Sequence, residues 1–163
     1  MLDAKIETFV RDRAGDTGHS GRTFHEHLTG VYDILREQHA PEHVCLAGLF
    51  HSIYGTNAFR HAAVPMAERA AVTELIGKRA ERLAHIFCSC QRPRALVEAV
   101  TAGPPYKVVN WRDGTSIPLS LEDMCDLLEI EVANLMEQGA DSARVALAWR
   151  SMIDIAAPQT EKA

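Results

Sequence analysis

The fold is decided by residues 41–59, PEHVCLAGLFHSIYGTNAF. The segment begins with a proline, which the first turn of a helix tolerates. Residues 44–50 that follow carry no charged side chain, and a segment that is apolar on nearly every side is typical of a helix in the middle of a domain. The segment therefore predicts a buried helix over residues 42–53. It also places His51 near the end of that helix, where a polar imidazole must find a partner or a ligand.

The length and charge of the chain narrow the class of protein. The chain has 163 residues and a formal net charge of −5, which favours a single domain and argues against binding to nucleic acid. No run approaches the roughly 18 apolar residues that cross a bilayer, so no membrane segment is expected. The start of the sequence lacks the pattern of a signal peptide. We expect the four cysteines to be reduced thiols in a cytoplasmic protein.

Apolar residues recur at helical spacing along most of the chain, which predicts an all-α fold, a helical bundle. Residues 1–22 form an N-terminal helix and loop in this interpretation, and Thr23 with Glu26 fits the capping box of the next helix. Ser120 with Asp123 fits the cap of a long later helix. Further helices are predicted over residues 2–13, 66–75, 78–88, 94–101, 121–138 and 141–155.

One small β-hairpin is expected at residues 106–119, where two runs rich in β-branched and aromatic residues flank a turn. No other strand is predicted. The end of the sequence, residues 158–163, is expected to be a frayed tail. We interpret residues 1–163 as one helical domain, because nothing in the sequence resembles a linker or an internal repeat.

Three titratable side chains fall among apolar residues of the predicted bundle. At about 100° per residue, His27 falls inside the apolar arc of its predicted helix. His51 lies likewise among the apolar residues of the predicted helix over residues 42–53. On the helix over residues 121–138, Glu131 lies inside the apolar arc, whereas Asp126 lies on the solvated side. A buried carboxylate needs a partner or a metal. Two interpretations stay open: Glu131 pairs with an arginine or backbone amides, or it meets both histidines across the bundle.

The order and spacing of these residues resemble those of the HD-domain superfamily of metal-dependent phosphohydrolases. His27 stands four positions before Val31 on one helix, and LFHS at residues 49–52 ends the buried helix that follows. The nearest branch of the superfamily hydrolyses the alarmone (p)ppGpp. The segments that carry the likeness to this branch are IYGT at residues 53–56 and IGKRAERL at residues 76–83. The similarity covers residues 23–87, with a weaker echo in EVAN at residues 131–134.

The resemblance implies an HD-domain-like helical bundle with a metal centre. In the superfamily a first His, a His-Asp doublet and a late Asp hold a divalent metal, which activates water and polarises a phosphoryl group. Carried over to this sequence, the ligands are His27, His51 and Glu131, with Asp126 as the alternative for the last position. Two histidines and one carboxylate form the facial triad that suits Mn, Fe or Zn. No organic cofactor is expected.

Ser52 and Tyr54 depart from the family pattern. Ser52 stands where the doublet carries its Asp, which removes one ligand and one charge, and Tyr54 lies near the position of an acidic pair in the family. We expect both side chains to line the pocket as catalytic residues.

Two functions stay open at this point. The first is a divergent metal-dependent enzyme, a hydrolase that acts on a small phosphate-containing or other polar metabolite. The second is a metal-free binding or regulatory module that has lost hydrolytic activity. In both, the expected partner is a small molecule, and the sequence leaves a monomer and a homodimer equally open.

Overall fold

The computed structural model describes residues 2–19 and 21–139, together with the single positions 141, 144, 148, 149, 151, 152 and 154. Helices dominate this part and confirm the predicted all-α fold. The described helices are α1 (Ala4–Ala14), α2 (Phe24–Glu37), α3 (Glu42–Leu49), α4 (Arg69–Ile76), α5 (Lys78–Ser89), α6 (Arg94–Ala102) and α7 (Leu121–Glu137), with a 3₁₀ turn at Met66–Glu68. The predicted helix over residues 141–155 is described only at those single positions, and the predicted tail at 158–163 lies outside the described residues.

Two capping boxes fix where α2 and α7 begin. The Thr23 hydroxyl accepts a hydrogen bond from the Glu26 amide (3.1 Å), and the Glu26 carboxylate accepts one from the Thr23 amide (2.8 Å). Ser120 and Asp123 exchange the same pair of bonds, at 3.0 and 3.1 Å. Each box satisfies amide groups that have no partner inside the helix. Both helices therefore begin where the sequence predicts.

The central helix is shorter than its sequence predicts. α3 ends at Leu49, and Phe50 leaves helical geometry with φ −110° and ψ 6°. The chain then continues through tight turns, in which the Ile53 amide donates to the Phe50 carbonyl and the Gly55 amide to the Ser52 carbonyl. Gly55 has φ +74°, a conformation that favours glycine. His51 consequently lies in a turn beyond the helix end, fully buried.

α3 is the centre of the bundle. It packs against α2, α5 and α7, and α2 packs against α7 as well. The approach of α2 to α3 is closest at Gly48, because a Cβ atom built there would overlap Cδ1 of Leu35. This close contact brings the buried faces of α2 and α3 together next to the His51 turn.

Two small antiparallel hairpins complete the described structure. β3 (Lys107–Val109) pairs with β4 (Ser116–Pro118), within the segment where the sequence predicts a hairpin. A second hairpin, β1 (Gly18–His19) with β2 (Arg22–Thr23), lies in the loop before α2 and was not expected. Strands of two residues are too short for a recognisable alternation of apolar and polar side chains. No helix among the described residues is both long and apolar enough to cross a lipid bilayer.

The loop of the β3–β4 hairpin holds the turn that carries His51. Arg112 donates to the carbonyls of Tyr54 (2.9 Å), Gly55 (2.7 Å) and Cys88 (3.0 Å). The Cys88 thiol in turn donates to the His51 carbonyl at 3.1 Å. The turn is thus fixed to α5 and to the hairpin by side chains rather than by helical hydrogen bonds.

Gly48→Ala is expected to destabilise the folded protein, because the added methyl group overlaps Leu35. Overpacking of this kind costs about 1–3 kcal/mol, and the better helix propensity of alanine offsets about 1 kcal/mol of it. Urea unfolding followed by circular dichroism measures the change. Leu35→Val removes the Cδ atoms, so the cost of Gly48→Ala should shrink in that background. Equal costs in both backgrounds would contradict this packing.

Candidate functional site

The structure brings two of the predicted site residues, His27 and His51, into direct contact. His27 lies on α2 and is 1% exposed, and His51 lies in the turn after α3 and is 0% exposed. Their Nε2 atoms are 3.0 Å apart. The rings meet at 69°, edge to face, with centroids 4.9 Å apart. A buried histidine pair therefore sits where α2 and the end of α3 meet.

The other nitrogen of each ring is already engaged. Nδ1 of His51 is 2.6 Å from the carbonyl oxygen of Gly48, which only accepts, so this nitrogen carries the proton. Nδ1 of His27 contacts the carboxylate of Glu137, at the end of α7. The same reasoning assigns the proton of His27 to Nδ1. In the neutral rings, both Nε2 atoms then present lone pairs to each other.

Two lone pairs at this distance need a cation between them. Burial lowers the pKa of His27 and lowers that of His51 well below its usual value, and the charge of Arg92 lowers both further. The Glu137 carboxylate acts in the opposite direction on the pKa of His27, and the hydrogen bond to the Gly48 carbonyl does so on the pKa of His51. Burial disfavours any unpaired charge on these rings, and two neutral, converging imidazoles are also an arrangement that binds metal ions in proteins.

Glu131, the third predicted ligand, is buried as expected but has a different partner. Its Oε2 accepts from Nη1 of Arg92 at 2.7 Å, and both side chains are almost fully buried. Burial raises the pKa of Glu131, and Arg92 opposes that shift. The guanidinium of Arg92 also lies 3.7 Å from the ring centroid of Phe87. Of the two interpretations of Glu131, the structure therefore shows the ion pair with an arginine and not the contact with His27 and His51.

The catalytic roles of Ser52 and Tyr54 stay predictions. Ser52 is 3% exposed and directly follows His51 in the turn. The Tyr54 hydroxyl donates to Glu81 at 3.0 Å, and Glu81 also binds Arg69 through two hydrogen bonds. Burial raises the pKa of Tyr54, so its hydroxyl stays protonated. Tyr54 is therefore engaged in a separate cluster between the turn and α5.

The prediction that Asp126 faces solvent is wrong. Asp126 is 8% exposed and accepts hydrogen bonds from Arg79 (2.5 Å) and from His43 (3.1 Å). A helical wheel of α7 alone does not include Arg79, which reaches this side of the helix from α5. Asp126, His43 and Glu122 form a cluster whose possible metal-ligand atoms all lie within 4.8 Å of one another. It is the one cluster of this kind among the described residues. Arg79 already offsets part of the negative charge of this group.

Glu137, the carboxylate that contacts His27, was not among the predicted site residues. Its side chain is 4% exposed and also contacts the guanidinium of Arg22, on β2. The approach of Glu137 to α2 depends on Gly30, where a Cβ atom would lie 2.9 Å from Cγ of Glu137. Gly30, one turn after His27, is the feature of the sequence that could have indicated a close neighbour on this face of α2.

A third histidine, His19 on β1, is buried against His27. The two rings are stacked, with centroids 4.2 Å apart and 19° between their planes. Burial, more than any other cause, lowers the pKa of His19 to about 4, so the ring is neutral at physiological pH. Three neutral imidazoles therefore lie side by side in this part of the interior.

Arg92→Met is expected to lower the free energy of unfolding by about 3–5 kcal/mol at neutral pH, because it leaves the buried charge of Glu131 unpaired. Without Arg92 the pKa of Glu131 rises further, and the folded state binds a proton more tightly than the unfolded state. Stability of the variant relative to the parent should therefore recover as the pH falls towards about 5.

Urea unfolding of Arg92→Met and of Arg92→Met/Glu131→Gln at both pH values tests this expectation. The double variant should regain most of the lost stability and lose the pH dependence, since no carboxylate is left to titrate. A loss that Glu131→Gln does not repair, or that is the same at both pH values, would show that the ion pair is not the cause.

Comparisons with known proteins give a family but no function. No curated protein matches the sequence, and no solved structure matches it. One family model matches residues 9–92, more than half of the 163 residues, and this region includes His19, His27 and His51. The chain belongs to the family described as Domain of unknown function (DUF6817).

Proposed function

We propose that this protein is a divergent HD-like metal-dependent enzyme that hydrolyses a small phosphate-containing or other polar metabolite. The observation that carries the proposal is the pair of buried Nε2 atoms of His27 and His51, 3.0 Å apart, in rings whose Nδ1 atoms are both engaged by oxygen acceptors. The four cysteines are free thiols, which supports a cytoplasmic location.

The donor set fits a divalent metal such as Mn, Fe or Zn. The Nε2 atoms of His27 and His51 are 3.0 Å apart, close enough that both could bind one ion. Histidine ligands usually donate their second N–H to a carboxylate or a backbone carbonyl. Glu137 does this for His27 and Gly48 for His51. Glu131 would have to exchange its Arg92 partner to become the third ligand.

A bound metal would supply the activation of water and the polarisation of a phosphoryl group. The residues around it determine which molecules enter. The charges of Arg22 and Glu137 offset each other, as do those of Arg92 and Glu131. With neutral histidines, a divalent ion leaves the site with a net positive charge, which attracts an anionic substrate. The predicted contributions of Ser52 and Tyr54 would come from the turn that carries His51.

A second candidate function is a metal-free binding or regulatory module. It is favoured by the ion pair of Arg92 with Glu131, which occupies the carboxylate that a metal would need, and by the neutral side chain of Ser52. In that case one proton is shared between the Nε2 atoms, and the carboxylate of Glu137 stabilises the resulting imidazolium of His27. The pocket would then bind a small molecule without hydrolysing it.

Metal content separates the two candidates. The purified protein, after incubation with Mn, Fe or Zn, should hold roughly one ion per chain, as one His-based centre predicts. His27→Ala and His51→Ala should each abolish this, measured by plasma mass spectrometry. His43→Ala is the matched control, because His43 belongs to the other cluster and should leave the metal content unchanged. A parent protein without metal under all these conditions would rule out the enzyme proposed.

Two carboxylate variants identify the remaining partners of the ion. Glu137→Gln should weaken zinc binding by about 10–100-fold, the usual effect of losing a carboxylate that orients a histidine ligand. If Glu131 leaves Arg92 to bind the ion, Glu131→Gln should lower the zinc affinity more than Glu137→Gln does. If the ion pair with Arg92 persists, Glu131→Gln should change the zinc affinity little. Competition with a zinc-binding dye measures both affinities.

A further inference from the structure

The feature that the proposed function does not use is His19. The residue is 9% exposed, and its ring is stacked on His27 and contacts Phe59 edge to face, with centroids 4.5 Å apart. Its Nδ1 atom is buried and has no hydrogen-bond partner among the described residues. Burying a polar nitrogen without a partner is unfavourable. A bound water or a ligand can supply the missing hydrogen bond.

The β1–β2 hairpin is tied to the histidine pair by more than ring stacking. His19 lies directly opposite Arg22 in the pairing of the strands, so the two side chains are on the same face of the hairpin. Arg22 contacts the same carboxylate of Glu137 that engages His27. The backbone at the base of the hairpin is closed by a 2.7 Å bond from the Phe24 amide to the Thr17 carbonyl. The hairpin therefore holds His19 in place against His27.

We propose that His19 is a ligand-binding residue of the His27–His51 site, and that its Nδ1 donates a hydrogen bond to an oxygen of an anionic, phosphate-bearing ligand bound there. The inference rests on the proposed function. It does not make His19 a metal ligand, since its nitrogens do not converge with those of both other histidines within 4.8 Å in the described structure. His19 instead lies against the pair, with its ring stacked on that of His27.

The position of the hairpin is consistent with access for such a ligand. The side chain of Arg22 is 50% exposed, so solvent reaches the side of the site that the hairpin borders. Arg22 therefore offers an accessible positive charge to an anion on the face of the hairpin that also carries the side chain of His19. Guanidinium groups and N–H donors are the usual partners of phosphate oxygens.

The test uses the full chain, inorganic phosphate as the probe and isothermal titration calorimetry, with and without zinc. His19→Phe keeps an aromatic ring against His27 and Phe59 but removes the nitrogen. It should weaken phosphate binding at least about tenfold, as expected for a hydrogen bond to a charged group, and leave zinc affinity within about threefold. His19→Asn places an amide near the position of Nδ1 and should restore part of the phosphate affinity.

His25→Phe is the matched control. His25 also has a buried nitrogen without a partner among the described residues, but it lines a different groove, with Leu2 and Tyr32. This variant should bind phosphate like the parent protein. In the parent, phosphate should shift the ¹⁵N resonance of His19 Nδ1, which identifies the atom that makes the contact.

Each remaining outcome decides the question. Phosphate affinity that is unchanged in His19→Phe, or a parent protein that binds no phosphate with or without zinc, would overturn the role of His19. Loss of zinc and phosphate together in His19→Phe would also overturn it, because His19 would then only support the histidine pair. Phosphate binding that depends on His19 in a protein that binds no zinc would support this inference and contradict the proposed metal-dependent function.

Discussion

The interior of this protein depends on two imidazole nitrogens that face each other across 3.0 Å, without exposure to water. Each ring is fixed at its other nitrogen by an acceptor that cannot donate. The three helices that form the centre of the bundle each supply one part: α2 carries His27, α3 ends at the turn of His51, and α7 brings Glu137. The packing of α2, α3 and α7 is therefore also what sets the geometry of the pair.

The helices can approach this closely because two glycines lie at their contacts. Gly48 admits Leu35 where α2 meets α3, and Gly30 admits Glu137 where α2 meets α7. Neither glycine has a backbone conformation that requires glycine, so both are explained by space alone. A close approach of backbones places short, well-directed contacts in a dry interior, where an interaction between charged or polar groups is stronger than in water.

Much of the fold and part of the site could be predicted from local sequence patterns. Helical periodicity and capping boxes depend on residues a few positions apart, so α2 and α7 were located well, and His27 was placed correctly in the interior. Glu137 and Asp126 were not, because their burial depends on Gly30 and Arg79, which belong to other helices. A helical wheel describes one helix and contains no information about the partner that covers it.

The balance of charges around the histidine pair is a physical reason for a neutral residue at position 52. Arg22 with Glu137 and Arg92 with Glu131 already cancel, so an aspartate in place of Ser52 would add a buried charge without a partner, at a cost of several kcal/mol. With serine there, the site without metal is neutral, and the divalent ion of the proposed function would bring two positive charges that an anionic ligand would offset. Metal and anion should therefore strengthen each other's binding by the same factor, since coupling between two sites is reciprocal.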